Sequence, residues 1–300
     1  MTANFIKNLL ETNGREYKKD FFLAFSSERV NPGDTSHQWN QVSKVIGADD
    51  PKSRLLATEF YKSLGFRKLH ITKGTREAEL SKLIGNSYRA INIAFVNELS
   101  KYSKKMNIDI KDAIDAAATK TFGFQRFDPG VGVGGNCINA DPRYLIEEIR
   151  RSTSEEFLLL EEAMRINSNM PRYIADYIDE KMEHLKIPIS QRKVLWIGVA
   201  YKPGVSLINN SPNIEVLKIL RERGWAIAFY DDKIDSFSLG EDTYMKASLN
   251  LINQDYSLIV YSQPQTSISL ETLESLKLPI IDLVRNSTSH FSPFISQLDS

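Results

Sequence analysis

Apolar residues recur along this chain in three rhythms, and each rhythm marks a region. Up to about Thr75 they come in short runs. Phe21–Phe25 and Lys44–Ala48 read as strands, and Arg67–Thr72 alternates as a third. Asp50-Pro51 is a helix start, with Asp as N-cap and Pro at the first helical position, and Gly65 is placed to end that helix. Strand, helix and strand at this spacing predict a βα unit with a parallel sheet. Three short strands make only part of a domain.

From Thr75 to Lys186 the rhythm becomes helical. Leu80, Ile84, Tyr88, Ile91, Phe95, Leu99, Tyr102 and Met106 form one stripe with steps of three and four, close to the helical period. About 30 residues would make a helix roughly 45 Å long, enough to carry a domain junction or a dimer interface. A second helical pattern covers Glu155–Ile166, which Pro171 is expected to interrupt or restart. A third contains Ile174, Ile178, Met182 and Leu185. Between these helices lies DPGVGVGGNCINAD, Asp128–Asp141, predicted to be non-helical. Its glycines Gly130, Gly132, Gly134 and Gly135 permit close backbone approach.

After a linker at Ile187–Gln191 the rhythm changes again. Val194–Tyr201, Ala226–Tyr230, Leu258–Tyr261 and Ile280–Val284 read as strands, with a helix capped by Ser211-Pro212 and ended at Gly224. The β-α-β-α-β alternation predicts an α/β fold with a doubly wound parallel sheet.

Length and charge narrow the function. A chain of 300 residues accommodates two or three domains. Lys+Arg and Asp+Glu are both 38, so the basic excess of a nucleic-acid binder is missing. No run approaches the ~18 apolar residues of a membrane span. Met1–Leu10 lacks the apolar core of a secretory signal. The single cysteine excludes an internal disulfide, and His37, His70, His184 and His290 have no metal-ligand spacing. The expectation is a cytoplasmic protein without nucleic acid, membrane or structural metal.

Several residues could carry chemistry. Cys137 follows glycines whose uncovered N–H groups can stabilise a thiolate or an oxyanion, and Asp141 is four residues on. That pattern suits a nucleophile, although a lone cysteine is more often a small buried hydrophobe. Lys82 and Asn86 share a face of the long helix, either a solvated one or one aimed at a developing oxyanion. Glu28 and Arg29 lie just past a strand's carboxyl end, where α/β proteins bind ligands. Lys202 ends a strand close to the Ser211-Pro212 helix start, a combination that serves phosphate or simply solvates a lysine. Asp231 and Asp232 could accept a ribose hydroxyl, but no G-x-G-x-x-G turn accompanies them.

Together, SSERVNPGD (Ser26–Asp34), AELSKLIGNSYRAINIAFVNEL (Ala78–Leu99), FDPGVGVGGNCINADPRYL (Phe127–Leu145) and VLWIGVAYKPGVSLINNSP (Val194–Pro212) resemble the UDP-glucose/GDP-mannose dehydrogenase family. The wording is nearest the branch oxidising UDP-N-acetylhexosamines, and the match runs over essentially the whole chain. The resemblance implies NAD-dependent oxidation of a sugar C6 alcohol to a carboxylate. Cys137 would attack the aldehyde, and a thioester would then be hydrolysed. Lys82 and Asn86 would stabilise the oxyanion and alkoxide, Asp141 would assist proton transfer, and Glu28 would assist hydrolysis. Arg29 and the four loop glycines would hold the sugar, and Lys202 would close the nucleotide-sugar site. The long helix, 76–106, would build a homodimer. It also implies three parts: 1–74 as the tail of an NAD-binding Rossmann-like domain, 75–190 as the central helical domain, and 191–300 as the UDP-binding Rossmann-like domain.

The chain departs from the family pattern in several places. The family's G-x-G-x-x-G turn is missing, and the first region matches only the end of the NAD domain. Asn209 stands where an arginine normally reaches the cofactor. Asn136 replaces His or Ser before the cysteine, and Asn139 replaces Pro two residues after it. Three readings follow: a shortened dehydrogenase, or a split one completed by a separate N-terminal fragment; a relative that keeps the UDP-sugar pocket and dimer helix but binds no NAD; or a cysteine acyl-transfer enzyme, which lacks a nearby histidine.

Overall fold

The computed structural model describes residues 2–29, 40–248 and 255–284. Residues 30–34 of the SSERVNPGD stretch, and His37 and His290, lie outside the described residues. The chain divides into two compact units, Met1–Tyr88 with Asp141–Phe157, and Arg89–Ala140 with Leu158–Ser300. Helices α3 (Thr75–Lys105) and α5 (Cys137–Thr153) contribute residues to both. Among the described residues no helix is long and apolar enough to cross a membrane.

The first unit opens on α1 (Thr2–Thr12), a helix the sequence pattern did not reveal. It has no N-cap signal of its own. Its first amides, Thr2 and Ala3, donate instead to the Glu79 carboxylate at 3.1 and 3.0 Å. β1 (Lys44–Ile46) and β2 (Leu69–Ile71) pair in parallel, Lys44 against Leu69 and Ile46 against Ile71, with α2 (Pro51–Ser63) between them. Gly65 turns the chain out of α2 at φ +87°.

Phe21–Phe25, expected as a strand, forms no ladder. Phe25 makes a single antiparallel bridge to Gly47. Side-chain hydroxyls take up the neighbouring backbone groups: Ser26 Oγ donates to Val45 O at 2.6 Å, and Leu23 N donates to Ser53 Oγ at 3.2 Å. These local bonds compete with strand pairing.

Asp50 caps α2 as expected. It accepts from the amides of Lys52 and Ser53 at 3.0 Å, from the Ser53 hydroxyl, and from the Tyr17 hydroxyl at 2.7 Å. Burial alone would raise its pKa, but the bonds from Ser53, Tyr17 and Lys52 outweigh burial and hold it down to about 2. Burial and the Asp50 carboxylate push Tyr17 up to about 12. The ionised Asp50 therefore stabilises the fold above about pH 4, a contribution lost as pH falls toward 2. The neutral Tyr17 does so below about pH 10, and loses that contribution as pH rises through about 12. Asp50→Ala is expected to cost about 2 kcal/mol through the lost cap and the orphaned Tyr17 hydroxyl. Hydrogen exchange of the 44–63 amides should accelerate and lose its acid dependence below pH 4. Unchanged exchange would contradict the role of the cap.

The second unit holds α4 (Ile110–Ala118), α6 (Leu158–His184) and a four-stranded parallel sheet. Its strands are β3 (Lys193–Ile197), β4 (Ala226–Tyr230), β7 (Leu258–Tyr261) and β8 (Ile280–Asp282), in the order β4-β3-β7-β8. The chain leaves β3 through α7 (Pro212–Glu222) to β4 on one side. It then runs through an antiparallel hairpin, β5 (Ser236–Leu239) and β6 (Asp242–Met245), and reaches β7 on the other side. α8 (Leu270–Glu274) leads on to β8. The winding direction thus reverses between β3 and β7, the place where open α/β sheets take ligands.

The core of this unit brings Trp196 and Phe229 of the sheet and Leu217 of α7 into one cluster with Met170, Ile174 and Ile178 of α6. That packing overrides the expected break at Pro171, and α6 runs through it. Proline removes the donor that the Asn167 carbonyl would have received. Gly132 of the glycine-rich loop packs at this spot; a Cβ there would lie 3.2 Å from Asn167 O and 3.5 Å from Pro171 Cδ.

The long stripe on α3 is divided: Ile91 and Leu99 pack against buried clusters, and the rest of it is mostly exposed. Ile84, Tyr88, Phe95, Tyr102 and Met106 are exposed, Phe95 at 60% and Met106 at 64%. The fully buried positions are mostly small or polar, among them Ala78, Ser87, Ala90, Ala94, Asn97 and Ser100, together with Val96.

Candidate active site

The glycine-rich loop does not stay irregular to its end, as the sequence suggested. Cys137 is the first residue of α5, and the helix continues through Asp141. The glycines end at Gly135, and the helix that follows runs on through Pro142. The thiol is free and exposed at the first turn of a helix. Asp141 lies one turn along the same helix. Its Oδ2 accepts from Asn86 Nδ2 at 2.6 Å. Lys82 is one turn before Asn86 on α3 and half-buried. The Lys82–Asn86 pair predicted from helical spacing is therefore tied to Asp141 by one hydrogen bond.

The loop itself is anchored by residues that pattern reasoning missed. Gly130 N donates to Asn97 Oδ1 at 2.8 Å, Asn97 Nδ2 to Asn167 Oδ1 at 3.0 Å, and Asn167 Nδ2 to Ala90 O at 2.9 Å. Both asparagines are buried. Their only sequence signal is an amide placed where α3 and α6 otherwise bury small or apolar residues. A Cβ on Gly134 would lie 2.8 Å from Tyr201 Cβ and 2.9 Å from Pro212 Cδ, and one on Gly135 would lie 3.0 Å from the Tyr201 ring. A Cβ on Gly130 would meet nothing within 4 Å. The close approaches at Gly132, Gly134 and Gly135 are thus made by the chain's own residues, while Gly130 borders open space.

The departures from the family pattern are also part of this anchoring. Asn139 Nδ2 donates to Gly135 O at 2.9 Å and to Val133 O at 3.1 Å. Asn136 Oδ1 accepts from Asn210 Nδ2 at 3.0 Å.

In the second unit the loop borders a cleft of about 540 Å³ at the carboxyl ends of β3, β7 and β8. Arg126, Gly130, Tyr201, Lys202, Pro212 and Gln263 are among its lining residues. Lys202 therefore sits in the same cleft as Gly130 and Gly132. Ser211 holds the N-cap position of α7 but does not cap it. Its hydroxyl turns inward and donates to Val199 O at 2.8 Å, which leaves first-turn amides beside the cleft for an anion.

Asp231 and Asp232 serve the protein's own backbone. Asp231 Oδ2 accepts from Val199 N at 2.9 Å and Ala200 N at 3.1 Å, which fixes the turn after β3. Asp232 accepts from Thr266, Ser267 and Tyr230. Burial would raise its pKa, but those bonds prevail and hold it down to about 2.

In the first unit, Glu28 accepts from Arg29 N at 2.7 Å and pairs with Lys44 at 3.3 Å. Lys44 is buried, its ammonium 5.2 and 5.5 Å from the Tyr61 and Phe66 rings. Arg29 Nη1 reaches Ser43 O at 3.5 Å.

The NAD implied by the resemblance can be tested against the helix N-termini of this unit. Asp50 caps α2. Asp49 accepts from the amide and hydroxyl of Thr75, at 3.0 and 2.8 Å, at the start of α3. Carboxylates thus occupy both positions that a pyrophosphate would need. The turn after β1 offers one glycine, Gly47, where a Cβ would meet Gly74 O at 2.2 Å. These residues do not fit the pyrophosphate of NAD.

A βα sheet, a central helical part with a Gly-rich cysteine loop, and a second parallel sheet with a cleft at its switch point define the class: an α/β protein built on the plan of the nucleotide-sugar dehydrogenases. Residues 76–169 match the central domain of the UDP-glucose/GDP-mannose dehydrogenase family, and the chain is a member of that family. The UDP-N-acetyl-D-mannosamine dehydrogenase of Methanococcus maripaludis is 33% identical over 76% of this chain and 52% of its own length. The UDP-N-acetyl-D-glucosamine 6-dehydrogenase of Pseudomonas aeruginosa is 30% identical over 73% of this chain and 51% of its own. This chain therefore spans about half the length of these relatives. The UDP-D-ManNAc dehydrogenase structure from Pyrococcus horikoshii superposes with a TM-score of 0.82 and 28% identity, covering 97% of this chain and 68% of that one.

Proposed function

We propose that this chain binds a UDP-N-acetylhexosamine and provides the covalent thiol of a UDP-sugar 6-dehydrogenase. The observation that carries the reading is the cleft, where Lys202 and the uncapped start of α7 face the glycine-rich loop. A diphosphate carries the charge that both features favour. Residues 191–300 then form the nucleotide part, 75–190 the part carrying the thiol, and 1–74 the end of a cofactor domain.

The role of Cys137 is addition to an aldehyde at sugar C6. Sulfur forms a bond to the carbonyl carbon, the carbonyl π pair moves to oxygen, and that oxygen takes up the thiol proton. The product is a thiohemiacetal, which retains the half-oxidised sugar. Lys82 and Asn86 are donors for the developing oxyanion, and Asp141, held by Asn86, handles the proton. Glu28 is the acid assigned to hydrolysis, and Arg29 with the loop glycines is assigned to the sugar. The exposed stripe of α3 is the face of a homodimer.

The acid-capped helix starts of the first unit favour a second reading. In it the chain keeps its nucleotide-sugar site and leaves NAD to another polypeptide, or binds none. Calorimetric titration separates the two: UDP-N-acetylglucosamine binding without NAD⁺ binding selects the second. Lys202→Ala should weaken UDP about 10–100-fold, the range of a charged hydrogen bond to phosphate. An unchanged affinity would remove Lys202, and absence of any UDP binding would remove the cleft.

A further inference from the structure

Gln263 follows β7 at its carboxyl end and lines the cleft, yet it is only 6% exposed. Its Nε2 donates to Ala200 O at 2.6 Å. That bond fixes the orientation of the amide, because a flip would set two carbonyl oxygens against each other. Oε1 is left buried, with no hydrogen-bond partner among the described residues. A buried acceptor without a donor is costly, and such an atom calls for an explanation.

The side chain cannot easily turn away. Gly198, at φ +88°, packs so closely that a Cβ on it would lie 2.4 Å from Gln263 Cβ. Next to it, Ser262 Oγ donates to Asn213 Oδ1, and Asn213 Nδ2 donates to the same Ala200 carbonyl at 3.1 Å. The amide is therefore built into a small polar network with one acceptor unassigned. Beside it the cleft is lined by Pro264, Leu283 and Val284. Those apolar surfaces suit the flat face of a base better than the hydroxyl-bearing ribose or sugar.

We infer that Gln263 Oε1 accepts a hydrogen bond from the imide N3–H of uracil, which makes Gln263 the residue that selects uridine over cytidine nucleotides. The inference rests on the reading of the cleft as a nucleotide site. Uracil brings a donor to an orphaned acceptor. Cytosine brings a lone pair at the same ring position, and two facing acceptors are rejected strongly when both are buried.

The test is calorimetry on the full chain with UDP, CDP, N3-methyl-UDP and GDP. UDP is expected to bind at least about 10-fold tighter than CDP or N3-methyl-UDP, the effect of leaving one buried polar group unpaired. Gln263→Met should bring UDP and CDP to within about twofold, again as expected for loss of that single bond. The N3-methyl comparison needs no variant, so it holds even if Gln263→Met fails to fold. Guanine also carries an imide N–H; GDP binding as tightly as UDP would overturn the assignment to a pyrimidine. Equal affinity of the wild-type chain for UDP and N3-methyl-UDP, or an unchanged UDP/CDP ratio in Gln263→Met, would overturn this inference alone. Failure of the wild-type chain to bind UDP would overturn the nucleotide reading and this inference with it.

Discussion

Cys137→Ser is expected to stop uronate formation in any active assembly of this chain, by a factor on the order of 10³ or more, the usual scale for removing a covalent nucleophile. Sulfur is intrinsically the stronger nucleophile, whereas a serine hydroxyl at the same position keeps its proton unless a base removes it. No histidine is supplied nearby in the sequence to serve as that base: the four are His37, His70, His184 and His290. UDP binding should stay within about twofold, because Cys137 is not among the residues lining the cleft. Uronate measured by mass spectrometry and UDP affinity measured by calorimetry give the two halves of the result. A serine variant that still makes uronate at the wild-type rate would exclude the sulfur as nucleophile. A readout independent of turnover exists as well. Cys137 is the chain's one cysteine and is exposed. Iodoacetamide should therefore label the native protein once, and a sulfur that resists labelling until the chain unfolds would contradict the role.

What the sequence could reveal about this site depended on whether the signal was local. The Asp50-Pro51 helix start was legible because a cap and its helix are neighbours in the chain. The i,i+4 pair Lys82–Asn86 was legible for the same reason, since helical spacing fixes a shared face; Cys137 and Asp141 were legible as sequence neighbours, but not as one turn of a helix, because their glycine-rich stretch reads as irregular. The Asn86–Asp141 bond joins residues 55 apart, and no periodicity announces it. The amide relay from Gly130 through Asn97 to Asn167 is equally non-local. Local rules also failed where tertiary packing decided. Pro171 should break a helix, yet the buried face of α6 carries the helix through it. Ser211 should cap α7, yet its hydroxyl is drawn to the Val199 carbonyl. Phe21–Phe25 has the composition of a strand, but pairing depends on a partner backbone, which composition does not encode. The glycine-rich loop was visible as glycines. Which of them face ligand space and which face Tyr201 and Pro212 became clear only from the fold.

Replacing Phe95 and Tyr102 together by Asp is expected to convert a dimer of this chain into monomers. Both side chains lie on the exposed stripe of α3, one helix with small residues on its buried face. The fully buried positions of the helix are mostly small, Ala, Ser, Asn and Val96 among them, while Ile84, Tyr88, Phe95, Tyr102 and Met106 are exposed along it. A contiguous apolar row of that size on a soluble surface marks an interface. The row repeats along one helix, which suits a two-fold arrangement in which the same face of a second copy covers it. Buried aromatic anchors contribute roughly 2 kcal/mol or more each, so the double variant should weaken association by at least about 100-fold. Sedimentation velocity at micromolar concentration would read the change directly. Met245→Asp provides the control: Met245 is as exposed as these residues, at 68%, but lies on the β5–β6 hairpin rather than on the stripe. Loss of the dimer in the double variant, with Met245→Asp unchanged, assigns the interface to α3. A double variant that still sediments as a dimer would place the interface elsewhere and leave the apolar row without a partner of its own kind.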